Sequence, residues 1–128
     1  MISIEYTNDF LEGEPGPNFY WKGIPSDFLQ LVYDLHPLGT KLGIEIRLNS
    51  LDYIQTTEDF KIVLRSSEGS RNLCTKSKSI IMMDLDKSIW RRVIEKILSV
   101  SFEKSHNYIE FDDLELKESA NVIVSSEA

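Results

Sequence analysis

Few side chains in this 128-residue chain can do acid–base or nucleophilic chemistry: it has two histidines and one cysteine. His36 stands directly before Pro37, where the first predicted helix must end, and a helix dipole favours a cation at that end. His106 lies between the second predicted helix and a strand, as an exposed loop residue or as a general base. No residue pattern around either histidine identifies a reaction, so the structural interpretation is the simpler one.

Cys74 lies between Arg71 and Lys76, and nearby cations can lower the pKa of a thiol and make it reactive. No histidine adjoins it, so an incidental surface cysteine is the simpler interpretation. A single cysteine also excludes an internal disulfide and a zinc site built from cysteines. Asp84 and Asp86 have a spacing that can hold Mg²⁺, but Asp86 is better placed to cap the second helix.

The sequence contains none of the spaced motifs that bind nucleotides, zinc or calcium, and no GxSxG nucleophile motif. The aromatic run at residues 19–21 can stack on a ligand, although aromatic residues in a strand usually pack in the core. We therefore expect a protein without catalytic activity, without a cofactor and without a bound metal.

The elements that position these residues follow a predicted order β-β-α-β-β-β-α-β, with a further short strand at 122–124. Alternating apolar residues predict strands near 2–6, 42–48 and 60–64. Aromatic residues predict a short strand at 19–22, an apolar run predicts a buried central strand at 80–85, and a further strand is predicted at 108–111. Apolar residues at helical spacing predict helices from Ser26, as N-cap, to His36, and from Asp86 to about residue 102. Residues 66–79 are predicted to form a long hairpin loop or a frayed pair of strand ends.

Short links between the predicted strands favour antiparallel pairing. We therefore expect an α+β fold in which residues 1–128 form a single two-layer domain. Its sheet is predicted to be mainly antiparallel, with about five to six strands, and two helices pack on one face. A short frayed tail is expected from about residue 125.

The beginning of the sequence predicts neither a secretory route nor a membrane segment. Its first nine residues are acidic and alternate in polarity, whereas a secretory signal has a basic start followed by an apolar run. The longest unbroken apolar run, residues 80–83, is far shorter than a membrane span. Together with the single cysteine, this favours a cytoplasmic location.

The net charge of −7 is unevenly distributed along the chain. Residues 1–60 carry ten acidic and three basic side chains, residues 61–92 three acidic and eight basic, and residues 93–128 eight acidic and three basic. The basic segment can contact phosphates, or it can simply balance the flanking acids. The pI near 4.8 and the absence of a known nucleic-acid-binding signature favour balance, so no direct nucleic-acid binding is expected.

The densest acidic run spans residues 110–118, and a second acidic patch lies on the glycine- and proline-rich loop at 12–18. Such acids can be a solvated edge that discourages strand-to-strand aggregation. Alternatively they face a basic partner, because complementary charge raises association rates and selects partners. On this second interpretation the partner-binding residues are Glu110, Asp112, Asp113, Glu115, Glu12 and Glu14.

In size, acidic charge and α+β character, the chain resembles the immunity proteins that bacteria make against their own delivered toxins. This resemblance of type implies a monomeric inhibitor that covers the active site of a basic toxin, such as a nuclease, in a one-to-one complex. Type III secretion chaperones are similar in the same respects and imply instead a dimer, here through Trp90 and Ile94 of the second helix, that binds an effector segment. A small enzyme whose site is assembled from His106, Cys74 and carboxylates is the third alternative.

Overall fold

The computed structural model of the chain describes residues 1–7, 17–57, 59–69, 73–102, 107–110 and 121–126. Within these residues there are nine strands and two α-helices. The strands are β1 (Ile2–Thr7), β2 (Asn18–Gly23), β3 (Glu45–Arg47), β4 (Ile54–Thr56), β5 (Lys61–Ser66), β6 (Leu73–Ser77), β7 (Ile80–Leu85), β8 (Asn107–Glu110) and β9 (Asn121–Ser126). The helices are α1 (Pro25–Leu35) and α2 (Lys87–Ser101), and short 3-10 turns follow at His36–Gly39 and Leu48–Ser50.

The strands form two mixed sheets, with the order β4-β1-β2-β9-β8 in the first and β3-β5-β7-β6 in the second. Four of the described strand pairs are antiparallel, whereas β1–β4, β2–β9 and β5–β7 are parallel. The α+β class is therefore confirmed. The expected mainly antiparallel sheet of five to six strands is wrong, in its strand number and in its pairing.

Burial explains why strands that are neighbours in sequence do not always pair. Strand β7 lies between β5 and β6, because its buried Ile81, Met83 and Leu85 and its partly buried neighbours suit a central position better than an edge. Strand β9 likewise lies between β2 and β8, and Val122, Ile123 and Val124 are all buried there. It extends to Ser126, and so includes the first residues of the expected tail.

One cluster of buried apolar side chains connects both sheets and both helices. The two helices contact each other, and α2 also contacts β8 and β9. The sheets approach each other where the ammonium of Lys76 on β6 lies 5.2 Å from the centre of the Tyr6 ring on β1. The larger members of the cluster are Ile2, Ile4, Phe19, Trp21, Phe28, Leu31, Leu35, Ile62, Leu64, Ile81, Trp90 and Ile97.

The two helices begin differently. Asp86 is the N-cap of α2 and accepts a hydrogen bond from the backbone N–H of Ser88 at 3.1 Å, which confirms the prediction. The predicted N-cap Ser26 is wrong, because α1 begins at Pro25 with Ile24 before it and no side-chain cap. Proline suits the first helical position, since it has no N–H there to satisfy and its φ is already helical.

Two predicted segments are also corrected, and one strand is added. The strand expected over 42–48 is only β3, because Gly43 has a φ of +74° and a 3-10 turn begins at Leu48. The short strand β4 was not predicted. The expected loop at 66–79 contains β6, whose single apolar alternation was too weak to indicate a strand. In the part of the chain described above, no helix is long and apolar enough to span a membrane.

Candidate functional site

The acidic residues predicted to bind a partner lie mostly outside the described residues. This holds for Glu12, Glu14, Asp112, Asp113 and Glu115. Glu110 is the last residue of β8, the outer strand of the first sheet. Glu110, the first residue of the acidic run, therefore lies at a sheet edge, and an edge position suits both interpretations of that run.

Cys74 is a core residue, which corrects its interpretation as a surface cysteine. It is fully buried on β6, and burial raises the pKa of its thiol to about 12. The neighbouring cations therefore do not make it a reactive thiolate, because the loss of hydration dominates. His106, the other member of the enzyme alternative, lies outside the described residues. Among the described side chains, no group of three or more His, Cys, Asp and Glu could hold a metal.

The helix that was considered as a dimer interface is packed against the protein itself. Trp90 is fully buried, and its indole Nε1 donates to the backbone oxygen of Arg65 on β5 at 2.7 Å. Ile94 is partly buried against the same core cluster. These two residues pack α2 against the core, which is the simpler explanation of their helical spacing.

An open groove lies instead on the outer side of α1. Its volume is about 700 Å³. Tyr33 is 78% exposed and Leu29 45% exposed, both high values for large apolar side chains. Its lining residues are Ser26, Leu29, Gln30, Val32, Tyr33, His36 and Pro37.

The groove exists because α1 is apolar on two sides. Phe28, Leu31 and Leu35 are buried in the core, as the helical periodicity predicted. Leu29 and Tyr33 are four residues apart and therefore adjacent on the other side of the helix, where a surface helix usually carries polar residues. The sequence interpretation missed this second pair, although the same i, i+4 spacing could have indicated it.

The charge on α1 is exclusively negative, since the helix contains Asp27 and Asp34 and no lysine or arginine. Asp27 forms an ion pair with the amino group of Met1. Asp34 accepts a hydrogen bond from the Tyr53 hydroxyl at 2.6 Å and one from the Gln30 amide at 3.4 Å. Burial, and then the bond to Asp34, raises the pKa of Tyr53 above its usual value near 10. Both carboxylates are thus held in place beside an apolar groove.

Tyr53→Phe tests the bond that fixes Asp34. At neutral pH we expect the free energy of unfolding to fall by about 1 kcal/mol, a modest value because the site is partly exposed. The folded-state pKa of Tyr53 is raised, so its stabilisation is complete below the unfolded-state pKa near 10 and is lost progressively as the pH rises above that value towards the folded-state pKa. Urea unfolding at pH 7, 9 and 10.5 measures the free energy of unfolding of the unaltered protein and of Tyr53→Phe. The difference between the two values should be smallest at pH 10.5.

The matched control is Tyr33→Phe, which removes the same hydroxyl group from a tyrosine on α1. The Tyr33 hydroxyl makes no hydrogen bond within the described structure. It should change stability by less than about 0.5 kcal/mol at every pH. A pH-independent loss in Tyr53→Phe would contradict the assigned bond.

Among the described residues that line the groove, the polar side chains are those of Ser26, Gln30, Tyr33 and His36. Comparison with protein-family models, with curated proteins and with solved structures finds no match for this chain.

Proposed function

We propose that this protein is a non-catalytic inhibitor that binds one basic protein partner in the cytoplasm, as bacterial toxin-immunity proteins do. The partner would be a cognate toxin domain, such as a nuclease, whose active site is covered in a one-to-one complex. The observation that supports this proposal best is the exposed apolar groove on α1, a helix whose two charged side chains, Asp27 and Asp34, are both carboxylates.

The apolar side chains of the groove would supply the binding energy. Contiguous exposed apolar surface with a polar rim is typical of protein interaction sites. Aromatic residues are enriched among the few side chains that dominate the affinity of an interface. Tyr33 and Leu29 are the corresponding candidates here, and the partner would insert an apolar side chain between them.

The carboxylates would select a partner that carries lysine or arginine beside that apolar side chain. Asp34 is held by Tyr53, so it loses little side-chain entropy on binding. The net charge of −7 would attract a basic protein from a distance and raise the association rate. The acidic residues Glu110, Asp112, Asp113, Glu115, Glu12 and Glu14 are proposed as a second contact region.

The test begins with the product of the adjacent gene, if that gene encodes a basic toxin domain, or with a basic protein that co-purifies from the native host. We expect a one-to-one complex by light scattering. The double variant Leu29→Ala, Tyr33→Ala should bind about a hundredfold more weakly by calorimetry, because both side chains lose their buried area. The matched control is Phe102→Ala, which removes an aromatic ring that is 69% exposed at the end of α2 and should leave the affinity unchanged.

The acidic region is tested separately by the double variant Asp112→Lys, Asp113→Lys. We expect an association rate constant at least about tenfold lower at low salt, with a smaller difference at high salt. Full affinity in a folded variant would refute this region as a contact and leave the groove standing. A stable homodimer of the free protein in solution would contradict the inhibitor and favour the chaperone-like alternative.

A further inference from the structure

A second, smaller cleft lies at the end of the other sheet, where β3 ends and β5 begins. Its volume is about 260 Å³, and Arg47, Asn49, Ser50 and Lys61 line it. Arg47 is the last residue of β3 and Lys61 is the first residue of β5. The two strands are antiparallel, and Arg47 is opposite Val63. Lys61 and Val63 are two residues apart on β5, so the register places both basic residues on the same side of the sheet.

The backbone around these two basic residues is fixed by side-chain hydrogen bonds. The Asn49 amide donates to the backbone oxygen of Phe60 and accepts from the backbone N–H of Ile62, both at 3.3 Å. It therefore continues the strand ladder beyond the end of β3. The hydroxyl of Ser50 donates to the backbone oxygen of Arg47 at 2.6 Å. The backbone that lines the cleft at this end of the sheet is thus held in place by side-chain hydrogen bonds.

The charges of Arg47 and Lys61 are not compensated within the described structure, where neither side chain has an ion-pair or hydrogen-bond partner. On the same sheet, Arg65 shows the alternative, since its guanidinium donates to Glu45 at 2.9 Å. The chain has 21 acidic and 14 basic side chains, so carboxylates are in excess. Two like charges at one cleft repel each other, and an anion between them would remove that repulsion.

We propose that this cleft binds a tetrahedral oxyanion, a phosphate or sulfate group, between the guanidinium of Arg47 and the ammonium of Lys61. The planar guanidinium can donate two parallel hydrogen bonds to such a group, and the ammonium adds a third donor and a second charge. A tetrahedral anion has enough acceptor oxygens for both donors at once. This site lies on β3 and β5, apart from the α1 groove, and does not depend on the proposed function.

The experiment is a titration of the ¹⁵N-labelled protein with inorganic phosphate at constant ionic strength, with sodium chloride replaced stepwise. We expect saturable amide shifts at residues 47–50 and 60–62. Arg47→Gln or Lys61→Gln should each weaken binding about tenfold or more, and the double variant should lose saturation, because charged hydrogen bonds are removed. Lys41→Gln, a matched change at an exposed lysine outside the cleft, should bind phosphate as the unaltered protein does.

Two results would overturn the proposal. One is a set of diffuse, non-saturating shifts in the unaltered protein. The other is an unchanged phosphate response in a double variant whose spectrum retains the dispersion of a folded protein. A parallel arm with sulfate in place of phosphate should give shifts at the same amides, since the proposed donors recognise the tetrahedral oxyanion. Sulfate shifts elsewhere in the protein would contradict that chemistry.

Discussion

Trp90→Ala is expected to lower the free energy of unfolding by about 3 to 5 kcal/mol, the range for removing a large aromatic side chain from a core. Trp90 is fully buried within the cluster that connects both sheets and both helices. Its loss would leave a cavity and also remove the hydrogen bond that joins α2 to the backbone of Arg65 on β5. Urea unfolding monitored by circular dichroism measures the change directly.

Two controls separate the components of this effect. Trp90→Phe retains an aromatic ring but has no N–H donor, so it should cost about 1 to 3 kcal/mol. Phe102→Ala removes an exposed ring at the end of the same helix and should cost less than about 0.5 kcal/mol. A loss below about 1 kcal/mol in Trp90→Ala would mean that α2 does not depend on this contact.

The second large effect concerns the reactivity of Cys74. Burial raises the pKa of its thiol from a usual value of 9.0 to about 12, so at pH 8 the thiolate fraction falls by about a thousandfold. We therefore expect the native protein to react with a disulfide reagent at least about a thousandfold more slowly than the urea-unfolded protein. The release of the chromophoric thiol, followed once without urea and once at a urea concentration that unfolds the protein, measures both rates.

The pH dependence of stability provides a second readout for the same thiol. The folded-state pKa is the higher one, so the stabilisation from Cys74 is complete below the unfolded-state pKa and is lost as the pH rises above it. Cys74→Ala should remove this part of the alkaline destabilisation. Complete reaction of the native protein within the mixing time would contradict the burial of the thiol.

Local patterns predicted the elements whose burial is periodic. Both helices, β1 and β5 lie where helical or alternating apolar spacing indicated them, and β2 and β7 lie where an aromatic run and an apolar run did. Pairing could not be read in the same way, because neighbouring strands in sequence are not always neighbours in a sheet. The parallel pair β5–β7 forms although β6 lies between them in sequence, since the central position buries the more apolar strand.

The two surface sites differ in how far the sequence could have located them. The charge pattern predicted an acidic contact region but no geometry for it. Leu29 and Tyr33 form one helix surface, so their spacing contained the information that α1 is apolar on a second side. Arg47 and Lys61 are brought to one cleft only by the register of β3 against β5, which residue spacing does not specify.

The position of β9 has a consequence for the order of folding. Its pairing with β2 joins residues about a hundred positions apart, so it requires closure of a long loop, and such contacts form slowly. In the second sheet, β5, β7 and β6 pair with one another within residues 61–85. The remaining strand, β3 at 45–47, pairs with β5 and is also close in sequence. During synthesis, β2 therefore acquires its second neighbour only after residues 121–126 have left the ribosome. Until then the backbone N–H and C=O groups of β2 that bond to β9 have no strand partner. The four strands of the second sheet, by contrast, can already pair with one another.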